Sequence, residues 1–593
     1  MNYSKEKLAQ IRGSMKERGI DAYIITGNDS NFGEYVPDHW KIIEWLTGFS
    51  GFAEIVIVTD SFAGLWTDSR YFIQAEDELV DSGFELMKPK QFQAREYVDW
   101  LAENINPGNR IAFDGRIFSE SSFRALEKRL NSKKVTFNNK CDLISEIWID
   151  RPHMPFSLAW EHPLEFSGKD RSLKIAEIRD EMKKKNVDLH LLTSSDDIMW
   201  LLNIRGNDLV YSPLIISFAL IGNHKILFFV DESKIPQKLT SEFVKLGIEL
   251  FPYEELYKKI LYLTEGSTIL VSPATTSVAL YNSIPAYLQI VEDISIPSLL
   301  KAKKNKIEIE NSGRVMIRDG TALTKFFFYL EENLGKVSMT EVSLAQKLLE
   351  LRSQQQDFIG PSFATITAFN EHSALPHYSP EPDTDLVLGD NGIFLTDSGG
   401  QYMGGTTDIT RTISIGIPTA QQKKDFTLVL KGHINLARAK FPLGTRGFQL
   451  DILARQAMWE NGLNYGHGTG HGVGYCLNVH EGPQNISPSV NKIPVETGMV
   501  ISNEPAIYRE GEYGIRTENL MICFEDEENE FGQFLKFDTI SLCYIDKALI
   551  DKSLLDQVEI NWLNDYHSEV FDKINPYLTS AEKKWLKEKT DPL

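Results

Sequence analysis

Two aspartates lie in apolar segments, where a charge is costly. The stretch NGIFLTDSGGQYMGGTTDITRTISIG has apolar, β-branched runs on either side of a glycine-rich connection. This pattern predicts a β-hairpin in which Asp397 ends one strand and Asp408 lies in the other, with both carboxylates on one side. Neighbouring carboxylates in such surroundings lose hydration and repel each other, and a bound cation would remove both penalties.

A second pair of acids follows the same plan. Glu504 comes directly after the apolar run in MVISNEP, Glu518 lies in GIRTENLMICF, and the turn-forming sequence REGEYG separates them. We expect a second hairpin with two inward carboxylates. Four carboxylates balance the charge of two divalent ions, and bridging carboxylates hold such ions about 3.5 to 4 Å apart in two-metal hydrolases.

Histidines could supply the nitrogen ligand of such a site. HGTGHGVG contains His467 and His471, and its glycines would let the backbone come close to a metal. Taken singly, each residue has a simpler interpretation: an acid is more often a turn former, cap or surface charge, and His377 and His480 are more often packing or loop histidines. His372 has no supporting context. The order and spacing of the whole set favour a metal site.

The elements that must position these residues lie in the last part of the chain. Sequence with helical spacing runs from Ile307 to about Gln356, and strand-like segments separated by Gly and Pro follow. The acids and histidines singled out above lie in this strand-rich part. We predict that residues 303–593 form the third and largest domain.

The first half of the chain contains an internal repeat. KLAQIRGSMK and GIDAYIIT, within residues 7–26, reappear as KIAEIRDEMK and NVDLHLLT within residues 174–193, at a constant offset of 167 residues. Each copy predicts an amphipathic helix, a turn and an apolar strand. Two α/β domains of similar design are therefore expected, over residues 1–152 and 153–302, with a proline-containing linker between them.

The composition excludes several classes of function. A formal net charge of −21 opposes binding to nucleic acid, because that affinity depends on Lys and Arg displacing counterions. The cysteines show no zinc-binding spacing and are expected to be buried thiols: Cys141, Cys476, Cys523 and Cys543. The start of the chain is charged, and the longest apolar stretches are too short to span a bilayer. We therefore expect a soluble cytoplasmic protein with no membrane partner.

At these motifs the sequence resembles the Xaa-Pro aminopeptidases, specifically the long three-domain cytosolic form of aminopeptidase P. The likeness covers essentially the whole chain: EYVPDHWK and LWTDSRYFIQAEDEL in the first domain, DDIMWLLNIRG in the second, DSGGQYMGGTTDITRT, HGTGHGVGYCLNVHEGP and GIRTEN in the third, and INWLNDYH near the end. It implies an α/β and α+β fold, with two tandem creatinase-type N-terminal domains followed by a catalytic domain of pita-bread fold.

The resemblance also implies the residues of the site. Five residues match the family's metal ligands: Asp397, Asp408, His471, Glu504 and Glu518. Of these, Asp408 and Glu518 would bridge two divalent ions. Manganese, Mn²⁺, is the usual metal of the family, and Co²⁺ or Zn²⁺ is also compatible with the ligand set. Three accessory histidines would take part in catalysis, the first and last of them also binding substrate: His377, His467 and His480.

The implied reaction removes an N-terminal residue that precedes proline. The two ions would lower the pKa of a bridging water enough to supply hydroxide at neutral pH, and Glu504 would handle the proton with His467 as a relay. The implied partners are peptides with proline at the second position and a second copy of the chain, in a homodimer. The family often reads EPGYY where this chain has Ala506 and Ile507, so subsite preference stays open.

Other functions fit the same motifs. Prolidase, methionine aminopeptidase and a creatinase-like hydrolase would share the fold, and the long paired N-terminal domains together with INWLNDYH favour aminopeptidase P among them. A catalytically inactive binding module is the rival from another class, because folds are reused without their chemistry. The presence of every expected ligand argues against that rival.

Overall fold

The structure, a computed structural model, describes residues 3–52, 54–68, 71–89 and 95–593. The chain forms two compact units, Met1–His162 with Lys169–Ser298, and Pro163–Gly168 with Leu299–Leu593. The predicted domain boundaries at residues 152 and 302 remain predictions. Two residues of the quoted motifs, Ser69 and Arg70, lie outside the described residues. None of the described helices is long and apolar enough to cross a membrane.

The first unit contains two six-stranded sheets. Its strands are β1 (Ala22–Thr26), β2 (Ile55–Thr59), β3 (Ala63–Trp66), β4 (Glu85–Met87), β5 (Arg110–Phe113), β6 (Thr136–Asn138), β7 (Trp160–Glu161), β8 (Leu189–Leu192), β9 (Ile204–Arg205), β10 (Phe218–Gly222), β11 (Ile226–Phe229), β12 (Ile248–Phe251), β13 (Thr268–Val271) and β14 (Gln289–Glu292). One sheet has the order β4-β3-β2-β1-β5-β6 and the other β12-β11-β10-β8-β13-β14, while β7 pairs with β9.

The two sheets have the same topology. In each, a central strand pairs antiparallel with one neighbour and parallel with the other: β1 with β2 and β5, and β8 with β10 and β13. All five side chains of β1 are buried, which is why its sequence is an apolar run rather than an alternating pattern. The predicted repeat is confirmed, since its copies fall on the helix and central strand of each sheet.

Helices accompany these strands. The helices up to residue 301 are α1 (Tyr3–Arg18), α2 (Ile42–Thr47), α3 (Phe72–Glu78), α4 (Glu96–Asn104), α5 (Glu120–Leu130), α6 (Ile144–Ile147), α7 (Leu164–Ser167), α8 (Arg171–Lys184), α9 (Ser195–Leu202), α10 (Gln237–Lys245), α11 (Leu256–Lys259), α12 (Val278–Tyr281) and α13 (Ile296–Lys301). In α8, which carries the second copy of the repeat, Asp170 caps the first turn by accepting from the Ser172 amide.

The second unit combines long helices with several small sheets. Its helices after residue 301 are α14 (Lys306–Asn333), α15 (Glu341–Ser353), α16 (Ala420–Ala437), α17 (Gly447–Trp459), α18 (Gln557–Ile574) and α19 (Ser580–Thr590). Asn305 begins α14 with a reciprocal cap, in which its side chain accepts from the Glu308 amide and Glu308 accepts from the Asn305 amide. The helical pattern predicted from Ile307 to Gln356 is therefore two helices.

The strands of the second unit carry the predicted site. They are β15 (Phe358–Pro361), β16 (Ile366–Phe369), β17 (Gly392–Ser398), β18 (Gly400–Tyr402), β19 (Gly405–Thr406), β20 (Ile409–Ile415), β21 (Lys440–Pro442), β22 (Gly470–His471), β23 (Asn485–Ile486), β24 (Val500–Asn503), β25 (Ala506–Arg509), β26 (Tyr513–Arg516), β27 (Asn519–Asn529) and β28 (Gly532–Thr539). The sheets are β15-β18-β19, β16-β17-β20, β21-β28-β27-β24, β22-β23 and β25-β26. The four cysteines are free and buried, as predicted.

Candidate metal centre

Asp397 and Asp408 lie where one hairpin changes into another. Strands β17 and β20 pair antiparallel, with Asp397 opposite Thr410. Asp408 was predicted inside a strand, and this was wrong: it lies in the short gap between β19 and β20. The reason is that the glycine-rich connection is not a simple turn. It forms β18 and β19, which pair with each other, and β18 joins β15 in another sheet.

Glu504 and Glu518 occupy matching positions in a second pair of hairpins. Strands β24 and β27 pair antiparallel as far as Asn503 and Asn519, so each glutamate stands one residue beyond the last pair. The chain between them forms the hairpin β25–β26, in agreement with the turn predicted from REGEYG. In both cases an outer pair of strands, β17–β20 or β24–β27, leads into an inner hairpin, β18–β19 or β25–β26. The pairing of the outer strands fixes the two acids at the base of the inner hairpin.

His471 is held in β22 by close backbone contacts. A Cβ on Gly470 would lie 1.9 Å from the Ser502 carbonyl oxygen, and one on Gly472 would lie 2.1 Å from that of Glu481. The glycines therefore make room for neighbouring backbone, which corrects the expectation that they make room for a metal. The Nδ1 atom of His471 donates to the Gly472 carbonyl at 2.9 Å, so Nε2 is the nitrogen available as a ligand.

The predicted ligands meet in three overlapping groups. In each group one ligand atom from every residue lies within 4.8 Å of the others, and the groups are Asp397, Asp408 and Glu518; His471, Glu504 and Glu518; and Asp408, His471 and His480. His471 Nε2 lies 3.4 Å from Asp408 Oδ2 and 3.6 Å from Glu504 Oε1. The structure therefore brings together all five residues predicted from the sequence, with His480 beside them.

Burial raises the pKa of three carboxyl groups at the site. It raises that of Asp397 to about 6, against the opposing charge of Arg516 and with a contribution from Asp408. Burial also raises the pKa of Glu504. The pKa of Glu518 is raised well above its ordinary value by burial and by the charges of Asp408 and Asp397. Burial and mutual repulsion thus disfavour the charged form of these carboxyl groups, and a divalent cation would offset both effects.

The pKa of His471 is raised by the same carboxylate charges, but burial acts on it in the opposite sense. Burial alone would lower its pKa, but the hydrogen bond with Asp408 and the charge of Glu504 outweigh burial and raise it to about 9. Because a metal binds only the deprotonated Nε2, protons and metal ions compete for this atom.

Arg516 links the carboxylates to the histidine loop. It donates to Asp397 Oδ2 at 2.5 Å, to Thr410 Oγ1 at 3.0 Å and to Tyr508 Oη at 2.7 Å. Since Tyr508 accepts from Arg516, its own proton is directed at His467 Nε2, 2.9 Å away. Sequence reasoning missed Arg516 and Tyr508, although both lie within motifs that flank the acids, GIRTEN and EPAIY.

The donor set fits divalent cations. Thr410 Oγ1 donates to Glu518 Oε2 at 2.8 Å, and Ser502 Oγ donates to Glu504 Oε1 at 3.2 Å. By contrast, Asp397 Oδ1 is buried with no hydrogen-bond donor among the described residues. A buried carboxylate oxygen without a partner is costly, and a cation would satisfy it. Four carboxylates and one imidazole are an oxygen-rich set of the kind that Mn²⁺ accepts.

The accessory histidines differ in their surroundings. His480 is exposed, and its ring centroid lies 4.2 Å from that of His471, at an interplanar angle of 77°. His467 donates from Nδ1 to the Gly468 carbonyl at 2.7 Å. His377 is partly buried in the segment between β16 and β17, and it belongs to none of the three groups. His372 contacts Glu341 at 2.9 Å. The catalytic roles of His377, His467 and His480 remain predictions.

Known protein families match the chain nearly from end to end. Metallopeptidase family M24 matches residues 312–525, which contain all five predicted ligands, and the C-terminal region of peptidase_M24 matches residues 533–593. Two family models of the Creatinase/Prolidase N-terminal domain match residues 7–145 and 150–308.

Curated relatives cover almost the whole chain. Xaa-Pro aminopeptidase 1 of Dictyostelium discoideum is 37% identical over 614 residues, which cover 99% of this chain and 96% of that protein. Aminopeptidase P2 of Arabidopsis thaliana is 36% identical and covers 99% of this chain, with 88% of its own length matched. The chain belongs to metallopeptidase family M24, among the Xaa-Pro aminopeptidases.

A solved structure of an X-prolyl aminopeptidase has the same fold. The X-prolyl aminopeptidase from Caenorhabditis elegans, a cytosolic enzyme with a di-nuclear active site, matches with a TM-score of 0.95 at 37% identity over 100% of both chains. A prolidase from Thermococcus sibiricus, with a TM-score of 0.51 at 22% identity over 64% of this chain, shares the fold alone. The predicted fold class is confirmed: two creatinase-type N-terminal domains precede an M24 catalytic domain.

Proposed function

We propose that the chain is a metalloaminopeptidase that hydrolyses the bond between an N-terminal residue and a following proline. Its full-length relatives are named Xaa-Pro aminopeptidases. The observation that carries the proposal is the cluster of five predicted ligands in the M24 domain, in which the buried Asp397 Oδ1 has no donor among the described residues. An inactive binding module would not need this costly arrangement.

Two divalent ions would be held by Asp397, Asp408, His471, Glu504 and Glu518. The group of Asp397, Asp408 and Glu518 suits one ion, and the group of His471, Glu504 and Glu518 suits the other. Glu518 belongs to both groups, and Asp408 Oδ2 lies 3.4 Å from His471 Nε2, so these two acids are the bridging ligands in our proposal. Manganese is the proposed metal because oxygen donors dominate the set.

The bound ions would supply a water-derived nucleophile at neutral pH and stabilise negative charge on the substrate carbonyl oxygen. Glu504, partly exposed and with a pKa raised by burial, is suited to take up and release the proton of the nucleophile. His467 can carry a proton further, because the Tyr508 hydroxyl, itself held by Arg516, fixes its ring. His480, exposed above His471, and His377 would bind the substrate.

The remaining proposals concern the partners of the protein and its location in the cell. The formal net charge of −21 supports the absence of a nucleic acid partner. The relative from Caenorhabditis elegans is described as cytosolic, and a cytoplasmic location is proposed for this chain on that ground. A homodimer is proposed on family resemblance. The substrates are peptides with proline at the second position.

Matched peptides test the proposed activity. Purified protein with added manganese should cleave Xaa-Pro-Xaa peptides much faster than the matched Xaa-Ala-Xaa peptides, and it should leave Xaa-Pro dipeptides largely uncleaved. Fast cleavage of the dipeptide alone would show that the protein is a prolidase and not an aminopeptidase. Equal rates on the proline and alanine peptides would show that the protein has no preference for proline.

A further inference from the structure

Glu481 makes a buried ion cluster directly beside His480. Its Oε1 accepts from Lys304 Nζ at 2.5 Å, and its Oε2 accepts from Lys301 Nζ at 3.3 Å. Lys304 also donates to the Lys301 carbonyl at 2.9 Å. The side chains of Lys301, Lys304 and Glu481 are only 3%, 2% and 1% exposed. Two ammonium groups and one carboxylate are therefore enclosed within the second unit.

Such a cluster is an inefficient way to stabilise a fold. Removing charges from water costs several kcal/mol per ion, and a well-packed apolar replacement of a buried ion pair is often as stable. In some proteins, buried ionic groups instead fix the conformation of the chain around them. In this cluster, the conformation of the chain at Glu481 is the one that affects the metal centre.

Glu481 connects this cluster to the metal centre through the backbone. Its amide donates to the Gly472 carbonyl at 2.7 Å, next to His471, while its side chain extends to the two lysines. His480 immediately precedes it and is exposed, with the buried Val479 on its other side. The His480 ring lies against that of His471, and its placement there also depends on how firmly the backbone on either side is held.

We propose that Glu481, gripped by Lys301 and Lys304, is a positioning residue that fixes His480 beside His471. The inference rests on the proposed function for the role of His480 in catalysis. Placement of such a group within a fraction of an ångström matters, because a displacement of about 1 Å can cost about a hundredfold in rate. The lysines come from the segment that leads into α14, and this segment thereby supports the site.

A matched control exists on the same segment. Lys303 Nζ contacts Glu496 Oε2 at 2.8 Å, and these side chains are 44% and 37% exposed. This is also an ion pair between a lysine of the segment before α14 and a glutamate, but it is exposed to solvent. Exposed pairs contribute little, so Lys303→Met should leave kinetics and stability close to wild type.

A double-mutant cycle tests the positioning role. Glu481→Gln should lower kcat/KM on a Xaa-Pro-Xaa peptide about tenfold or more while the manganese content stays unchanged. In a His480→Ala background the same substitution should have less than about a twofold further effect, because its action through His480 is already lost. A merely structural role would give equal losses in both backgrounds, and that additivity would overturn the proposal.

Two further measurements keep the test decisive. If Glu481→Gln fails to fold, Lys301→Met takes its place in the cycle, since Glu481 then keeps its ion pair with Lys304. The NMR resonance of the His480 ring, assigned by its absence in His480→Ala, should shift in Glu481→Gln and stay in place in Lys303→Met. This readout needs no turnover, so an inactive wild type would contradict the proposed function alone, whereas an unmoved resonance would contradict the positioning role.

Discussion

The two oxygens of Asp397 have different surroundings, and the difference prepares this side chain for a cation. Oδ2 accepts from Arg516 at 2.5 Å, whereas Oδ1 is buried without a donor among the described residues. Because the guanidinium fixes one oxygen, the carboxylate cannot turn to satisfy the other with the same donor. A bound ion would remove the free energy cost of this buried oxygen.

Asp408 provides the direct test of the ligand set. If it bridges two ions, Asp408→Ala leaves both under-coordinated, so metal content and activity should fall together. We expect near-complete loss of turnover and of bound manganese, measured by elemental analysis alongside the peptide assay. Lys303→Met, which breaks an exposed ion pair, serves as the control. Full metal content with near-normal rates in Asp408→Ala would show that the ligand assignment is wrong.

The pKa values at the site predict how stability depends on pH. Raised pKa values at Asp397, Glu504 and Glu518 mean that the metal-free folded protein keeps protons that the unfolded chain has released. The pKa of His471, raised to about 9, acts in the same direction above its ordinary value. The contribution of all four groups to folding stability is therefore lost as the pH rises through these values.

Metal binding should reverse this loss. We expect the melting temperature of EDTA-treated protein to fall from about pH 5 to about pH 9, and the gain on adding manganese to grow over the same range, because ions displace the protons. Differential scanning fluorimetry at matched ionic strength measures both. The Asp408→Ala protein is the control and should show little gain at any pH. A manganese effect that shrinks as the pH rises would contradict the prediction.

Sequence reasoning found the residues that are chemically unusual where they stand. Asp397, Glu504 and Glu518 were visible because a charge beside an apolar run demands compensation. Arg516 and Tyr508 could not be found in this way. Their importance lies in the side chains that they face across β25 and β26, and these neighbours depend on the register of the two strands. The orphaned Asp397 oxygen was equally invisible, since it is a property of packed atoms and not of residue type.

At the level of elements, the hairpins were predicted but not their nesting. Both acid pairs lie where an outer pair of strands gives way to an inner hairpin, β18–β19 or β25–β26. A glycine-rich stretch indicates a turn, but it does not indicate that the turn contains strands belonging to another sheet. Asp408 was therefore placed inside a strand when it lies just before one. The error is one of pairing partners, which local patterns do not determine.

Helix packing gives a stability prediction that is separate from the metal centre. A Cβ on Gly432 of α16 would lie 2.1 Å from the Ala454 carbonyl oxygen of α17. Gly432→Ala must push the helices apart, and we expect a loss of about 1–3 kcal/mol. Gly313 of α14 has no atom within 4 Å of such a Cβ, so Gly313→Ala should instead gain about 0.5–1 kcal/mol. Urea unfolding midpoints that move in the same direction would contradict this contrast.

At the scale of the whole molecule, the repeat was predictable because its two copies keep the same order of helix and strand. The role of the C-terminal region was not. Tyr566 of α18, within the motif INWLNDYH, accepts from Arg411 Nη2 at 2.8 Å, and Arg411 Nη1 donates to the Glu518 carbonyl at 2.6 Å. Helix α18 thus reaches the backbone of a predicted metal ligand through one buried arginine, a link between residues far apart in the chain.

The proposed homodimer must form between two strongly acidic chains. Each carries a formal net charge of −21, so association brings like charges together. Salt screens this repulsion, with a Debye length of about 8 Å at about 0.15 M and about 30 Å at about 0.01 M. Light scattering at micromolar protein should therefore show a species of twice 67.4 kDa at the higher salt, with more monomer at the lower. A species of 67.4 kDa alone at both salt concentrations would contradict the dimer, and a dimer that salt weakens would show that the contact is made by ion pairs rather than by apolar surface.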